Sequence, residues 1–141
     1  MMDRVDSFRG DYAFLSNFWI ESDGLTVEHR FQAAKTVVPD EKALVLAAAT
    51  PAIAKRLGRK VALVGNWEEI KVEVMYGLLV EKFSDVNLAL ELEATGDAEL
   101  VEGNTWGDTF WGVNTRTGAG ANILGKLLME VRSGIRRQII S

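Results

Sequence analysis

Thr26-Val27-Glu28-His29-Arg30-Phe31-Gln32-Ala33-Ala34-Lys35 is the stretch on which the reading of the chain turns. Residues three, four and seven apart on a helix share a face. That rule gathers Val27, Phe31, Ala34 and Val38 into an apolar stripe suited to a core. It also lines up Glu28, Gln32 and Lys35 on an adjacent polar stripe: a carboxylate, an amide and an amine. By spacing alone the polar stripe also fits a solvated helix face with a weak ion pair, worth a few tenths of a kcal/mol.

Thr26 is a suitable N-cap for this helix, and Pro39 predicts its end near Val37 or Val38. Downstream, Asp40 is placed to cap a helix from Glu41 to Ala49. Thr50-Pro51 reads as an N-cap followed by proline at the first helical position, with Gly58 as a left-handed terminator. Asn66 and Glu69 resemble a capping box opening a helix from Trp67 to Lys82, with Ile70, Val74, Met75 and Leu78 inward. Asp85 or Asn87 starts another helix through Ala94, ended by Gly96. The last begins after Gly118-Ala119-Gly120-Ala121-Asn122 and buries Leu124, Leu127, Leu128 and Val131.

Upstream, residues 7–20 are aromatic-rich, with a turn at Gly10-Asp11 and the start of a strand near Leu15 to Trp19. Residues 99–103 and 109–113 read as two short strands flanking Asn104-Thr105-Trp106-Gly107-Asp108. The expected fold is α+β and helix-dominated, with helices packed around a small antiparallel sheet. No strand–helix alternation of the kind that builds a Rossmann fold is present.

The chain has 141 residues, 48% hydrophobic and 26% charged, a balance that builds a real core in a single domain spanning 1–141. It has no cysteine, so no disulfide, thiolate nucleophile or cysteine-held metal. His29 is the one histidine, which rules out a histidine-rich metal centre and any mechanism needing a second imidazole. No cofactor is expected. The net charge of −4 argues against broad, charge-driven nucleic-acid binding but leaves room for a local phosphate site. The start, Met1 to Asp6, lacks a basic-then-apolar targeting pattern and no apolar run reaches membrane-spanning length. A cytoplasmic protein without membrane contact is therefore expected, and oligomeric state is not readable.

Three groups could carry chemistry. Gly118 to Asn122 opens a helix with small residues, a place where backbone N–H groups can meet an anion. Asp108 lies between Trp106 and Trp111 in a turn-rich loop, where indoles either stack on flat ligands or belong to the core. Glu28 and Asp108 are candidates for the carboxylates of glycosidic cleavage, one stabilising an oxocarbenium-like centre or activating water. Lys35 could pair with Glu28 or, if desolvated, attack C1 of a sugar to form a Schiff base. The run Lys55, Arg56, Arg59 and Lys60 reads as a solvated helix end.

Several blocks in order resemble the NADAR (YbiA-like) family. They are Phe8-Arg9-Gly10-Asp11-Tyr12-Ala13-Phe14-Leu15-Ser16-Asn17-Phe18, Glu28-His29-Arg30-Phe31-Gln32-Ala33-Ala34-Lys35, and Thr50 to Arg59. Further along come Trp67 with Lys71 and Met75, then Lys82-Phe83, Leu100 to Gly112, Gly120 to Met129, and Arg132. The resemblance implies an N-glycosidase acting on ribosylated heterocycles. Its substrate would be a phosphorylated aminouracil intermediate of riboflavin synthesis, or ADP-ribosylated guanine in DNA. It implies catalytic roles for Glu28, Lys35 and Asp108. Arg9, Gly10, Asn17, Trp67, Trp111, Gly120, Asn122 and Arg132 would bind substrate. The implied partner is a small ribosyl phosphate or ADP-ribosyl molecule, with modified DNA as a possible contact. The competing reading is a module that holds ADP-ribose or a nucleotide without cutting it.

Overall fold

The computed structural model describes residues 3–140. The Met1-Met2 start of the segment read for targeting lies outside them. Helices dominate: α1 (Val27–Ala33), α2 (Pro39–Leu46), α3 (Pro51–Gly58), α4 (Trp67–Lys82), α5 (Val86–Ala94) and α6 (Ile123–Ile140). The strands are short: β1 (Arg4–Val5), β2 (Glu99–Leu100), β3 (Gly103–Asn104) and β4 (Val113–Asn114). The chain forms two compact units, one from Asn17 to Leu78 and the other from residues 3–16 and 79–140.

In the Asn17–Leu78 unit, α1, α2 and α3 pack on one another. Ala33, Val45 and Ala54 form their shared core, flanked by Leu46, Leu57 and Val61. Local caps set the helix starts. Thr26 Oγ1 accepts the His29 amide at 3.1 Å, and Thr50 Oγ1 accepts the Ile53 amide at 3.1 Å. α1 is shorter than its pattern predicts. Its last turn tightens, with Lys35 N bonded to Gln32 O and Thr36 N to Ala33 O. Val38 therefore falls outside the apolar stripe and is 39% exposed. Pro39 takes the first position of α2, with Val38 rather than Asp40 as the flanking cap residue.

Gly58 is the last helical residue of α3, and the cap that follows, Arg59, is right-handed, so Gly58 is not a left-handed terminator. Its smallness has another cause. A Cβ at Gly58 would lie 2.0 Å from Gln32 Oε1 and 2.9 Å from Gln32 Cβ. The glycine lets α1 and α3 approach.

In the other unit the sheets differ from the expected antiparallel one. β1 pairs parallel with β2 (Arg4 with Glu99, Val5 with Leu100), and β3 pairs parallel with β4 (Gly103 with Val113, Asn104 with Asn114). The reason lies in residues 104–111, which fold as turns rather than as a hairpin. Asn104 Nδ2 donates to Asp108 O and Asn104 Oδ1 accepts Asp108 N, so one side chain closes the loop from both ends. The strand expected near Leu15 to Trp19 does not form: Gly10–Leu15 is a 3-10 turn and the chain then runs through a turn at residues 17–18. α6 packs on α5 and β2, and buries Leu124, Leu128 and Val131. Gly96 adopts the left-handed φ of +64° that ends α5. Among the described residues no helix is long and apolar enough to cross a membrane.

Candidate active site

Glu28 sits in the first turn of α1 and is only 7% exposed. Its backbone N–H donates to Asn17 O at 3.1 Å, which pins the start of the helix to the preceding segment. One turn on, Gln32 Nε2 donates to Glu28 Oε1 at 2.9 Å. That bond gives the carboxylate a neutral donor and fixes its orientation. Gln32 is itself buried, and its Oε1 is pressed toward Gly58 with no hydrogen-bond partner.

Lys35, on the same stripe, is half-buried. Burial pushes its amine below the ordinary lysine value. The Glu28 carboxylate pulls it back up, Arg59 and Lys55 lower it further, and Glu68 opposes them. The stretch thus holds a fixed, buried carboxylate on α1 and, two residues past the helix end, an amine whose value is lowered.

Asn17 and Trp67 belong to the same unit. Asn17 Nδ2 contacts Met75 Sδ at 3.5 Å, and its Oδ1 is buried without a partner. Trp67 is 5% exposed and packs on Phe31 at a ring separation of 5.0 Å and a tilt of 54°. It presents little indole surface to a ligand. His29 is buried and structural in its contacts, with Nδ1 2.8 Å from Thr26 Oγ1 and Nε2 2.9 Å from Ala48 O.

The remaining expected residues lie in the second unit. Asp108 is partly buried, and its Oδ1 accepts the amides of Phe110 at 3.2 Å and Trp111 at 3.0 Å. Trp111 meets Phe110 edge to face at 4.8 Å. Trp106 lies open, 59% exposed. Asn122 takes a left-handed φ of 53°, and both ends of its amide are engaged: Oδ1 by Glu102 N, Nδ2 on Leu100 O. A Cβ at Gly120 would lie 2.3 Å from Gly112 O. Arg132 is buried, with Nη1 donating to Thr95 Oγ1 and Ala98 O, both at 2.9 Å. Arg9 and Gly10 are exposed at the start of the 3-10 turn, where Gly10 has φ +57°.

Sequence reasoning left Gln32 out of the site, although the four-residue spacing from Glu28 was the signal that places it there. It also passed over Lys82, quoted only within a motif. Lys82 is 2% exposed and donates from Nζ to Ser16 O at 2.9 Å. Among the described residues no group of three His, Cys, Asp or Glu converges as a metal site.

The NADAR domain model matches residues 7–136. This chain belongs to the NADAR family. It is 39% identical to N-glycosidase YbiA of Shigella sonnei, covering 94% of this chain and 89% of that protein. It is 38% identical to a riboflavin biosynthesis protein of Vibrio vulnificus, over 89% of this chain and 36% of that longer protein. The solution NMR structure of Escherichia coli YbiA superposes on the whole chain and 90% of its own, with a TM-score of 0.84 at 35% identity. The helix-dominated fold with small sheets is therefore that of YbiA.

Proposed function

We propose that this NADAR chain is an N-glycosyl hydrolase that cleaves the bond between ribose and a heterocyclic base. The substrate we favour is a phosphorylated aminouracil ribotide, released as ribose 5-phosphate and free heterocycle. The observation that carries the reading is the buried Glu28 carboxylate, clamped by Gln32 Nε2 at 2.9 Å beside the half-buried Lys35. N-glycosidase is also the curated name of the YbiA relative, and one longer relative carries a riboflavin biosynthesis name.

The chemistry follows from that carboxylate. As the C1–N bond breaks, positive charge develops at C1 and the ring oxygen. An ionised Glu28 stabilises that charge or takes a proton from the attacking water, whose oxygen bonds to C1 while the heterocycle nitrogen gains a proton. General-base help of this kind contributes about 10²- to 10⁴-fold.

A second reading gives the attack to Lys35. Its lowered amine value is the observation that favours it, since a neutral amine is the nucleophile of Schiff-base chemistry. Borohydride added during turnover would trap that adduct as a mass increase on the Lys35 peptide.

The function is tested by offering the purified protein two substrates in parallel, the aminouracil ribotide and DNA carrying ADP-ribosylated guanine. Release of ribose 5-phosphate from the first supports the favoured substrate. Release of ADP-ribose from the second alone replaces the substrate and keeps the reaction. Silence from both, with ADP-ribose still bound, makes the protein a binding module.

A further inference from the structure

Three cations, Lys35 just after α1, Lys55 on α3 and Arg59 at its C-cap, lie near one another in the Asn17–Leu78 unit. Gln32 on α1 lies against Gly58 on α3 so closely that a Cβ there would overlap its amide. Lys35 lies in the tightened turn that follows α1, its N–H bonded to Gln32 O, and Lys55 is one turn before Gly58 on the same face of α3. Arg59, four residues after Lys55, shares the Lys55 face. The contact between Gln32 and Gly58 therefore brings Lys35 near Lys55 and Arg59. The electrostatics at Lys35 agree: after the Glu28 carboxylate, the charges that act on it are Arg59 and Lys55, with Glu68 opposing them.

Lys55 and Arg59 at the end of α3 would ordinarily be read as complements to the helix dipole. That role does not call for a third, half-buried cation from the turn after α1. None of the three side chains takes a hydrogen bond or ion pair among the described residues. The Glu28 and Glu68 carboxylates act on Lys35, but neither Lys55 nor Arg59 has an ion-pair partner among the described residues. Like charges side by side repel, and an anion placed among them relieves that repulsion. The Glu28 carboxylate also acts on Lys35, so such an anion would lie near the carboxylate.

We propose that Lys55 and Arg59, beside Lys35, form the subsite for the phosphoryl group of the ribosyl substrate. The inference rests on the glycosidase reading for the identity of the sugar, but the anion site stands on the cluster itself. A terminal phosphate and the diphosphate of ADP-ribose share this chemistry, and the ligands tested separate them.

The test measures binding by calorimetry in phosphate-free buffer, using Glu28→Gln protein so that nothing is turned over. The ligands are ribose 5-phosphate, ADP-ribose and ribose. Lys55→Gln and Arg59→Gln are compared with Arg56→Gln, which removes the same charge from an exposed position outside the cluster. Each of the first two should weaken phosphorylated ligands about tenfold, the effect of losing one charge-assisted hydrogen bond. Ribose should be insensitive and Arg56→Gln should behave like its parent. Weakening confined to ribose 5-phosphate assigns a terminal phosphate, and weakening confined to ADP-ribose a diphosphate. Affinities unchanged in both variants, or lowered equally by Arg56→Gln, overturn the proposal. Failure of the glycosidase reading would appear instead as intact wild-type protein that binds these ligands and cleaves no ribotide.

Discussion

Gln32 holds Glu28 through a 2.9 Å hydrogen bond from Nε2 to Oε1, both residues buried on one face of α1. An amide in that place gives the carboxylate a donor without adding charge. Gln32→Glu would replace the donor with a second carboxylate of nearly the same shape. Two carboxylates so close raise each other's pKa. A Glu28 that must be ionised to act would then lose activity on the acid side first. The expected result is a pH–rate profile whose acid limb moves to higher pH, with kcat down tenfold or more at neutral pH. Initial rates across pH 5–9 measure it.

Gly58 is where α3 makes room for that amide. Gly58→Ala puts a methyl 2.0 Å from Gln32 Oε1, inside any allowed contact. Overpacking of this kind costs about 1–3 kcal/mol. Denaturant unfolding should show that loss, and turnover should fall with it because the donor to Glu28 is displaced. Unchanged stability would mean that α1 and α3 are not in such close contact.

Lys35 gives a prediction for stability against pH. Burial lowers its value in the folded protein below the unfolded 10.5, Glu28 and Glu68 working against burial, Arg59 and Lys55 with it. In the window between the lowered value and 10.5 the unfolded chain binds the proton more tightly. Stability from this group therefore rises with pH through that window, and its penalty is fully present at neutral pH. Lys35→Met keeps the stem and removes the charge. In phosphate-free buffer its Tm should exceed that of the wild type at pH 7, and the difference should close toward pH 10.5.

Asp108 is expected to matter to its loop through one oxygen. Asp108→Asn retains an acceptor for the Phe110 and Trp111 amides, whereas Asp108→Ala leaves both without one. Thermal unfolding should place the asparagine variant within about 1 kcal/mol of wild type and the alanine variant about 1–3 kcal/mol below it.

What the sequence revealed and what it hid divide by range. Thr26, Thr50 and Asp85 announce helix starts because each bonds an amide three residues on, a relationship wholly contained in the local sequence. The Glu28–Gln32 bond is local in the same sense. The two-residue β1 carries no alternating pattern, and its parallel pairing with β2 depends on residues more than ninety positions away. Asn104 reads as a loop residue, but its clamp on Asp108 is what bends residues 104–111 away from a hairpin. Gly58 looked like a terminator because glycine often is one. Its reason for being small is Gln32 on another helix, which no spacing rule shows. Lys55 and Arg59 looked solvated for the same reason, since Lys35 comes near them only through the contact between Gln32 and Gly58.

The central claim is that Glu28 carries the cleavage of an N-glycosidic bond. The most direct measurement compares wild type with Glu28→Gln on the phosphorylated aminouracil ribotide, following released ribose 5-phosphate by chromatography. Glutamine keeps the size and removes the charge. The account predicts release by the wild type and a loss of about 100-fold or more in the variant, with Tm and ribose 5-phosphate binding retained. A Glu28→Gln protein that turns over the ribotide as fast as wild type would contradict it.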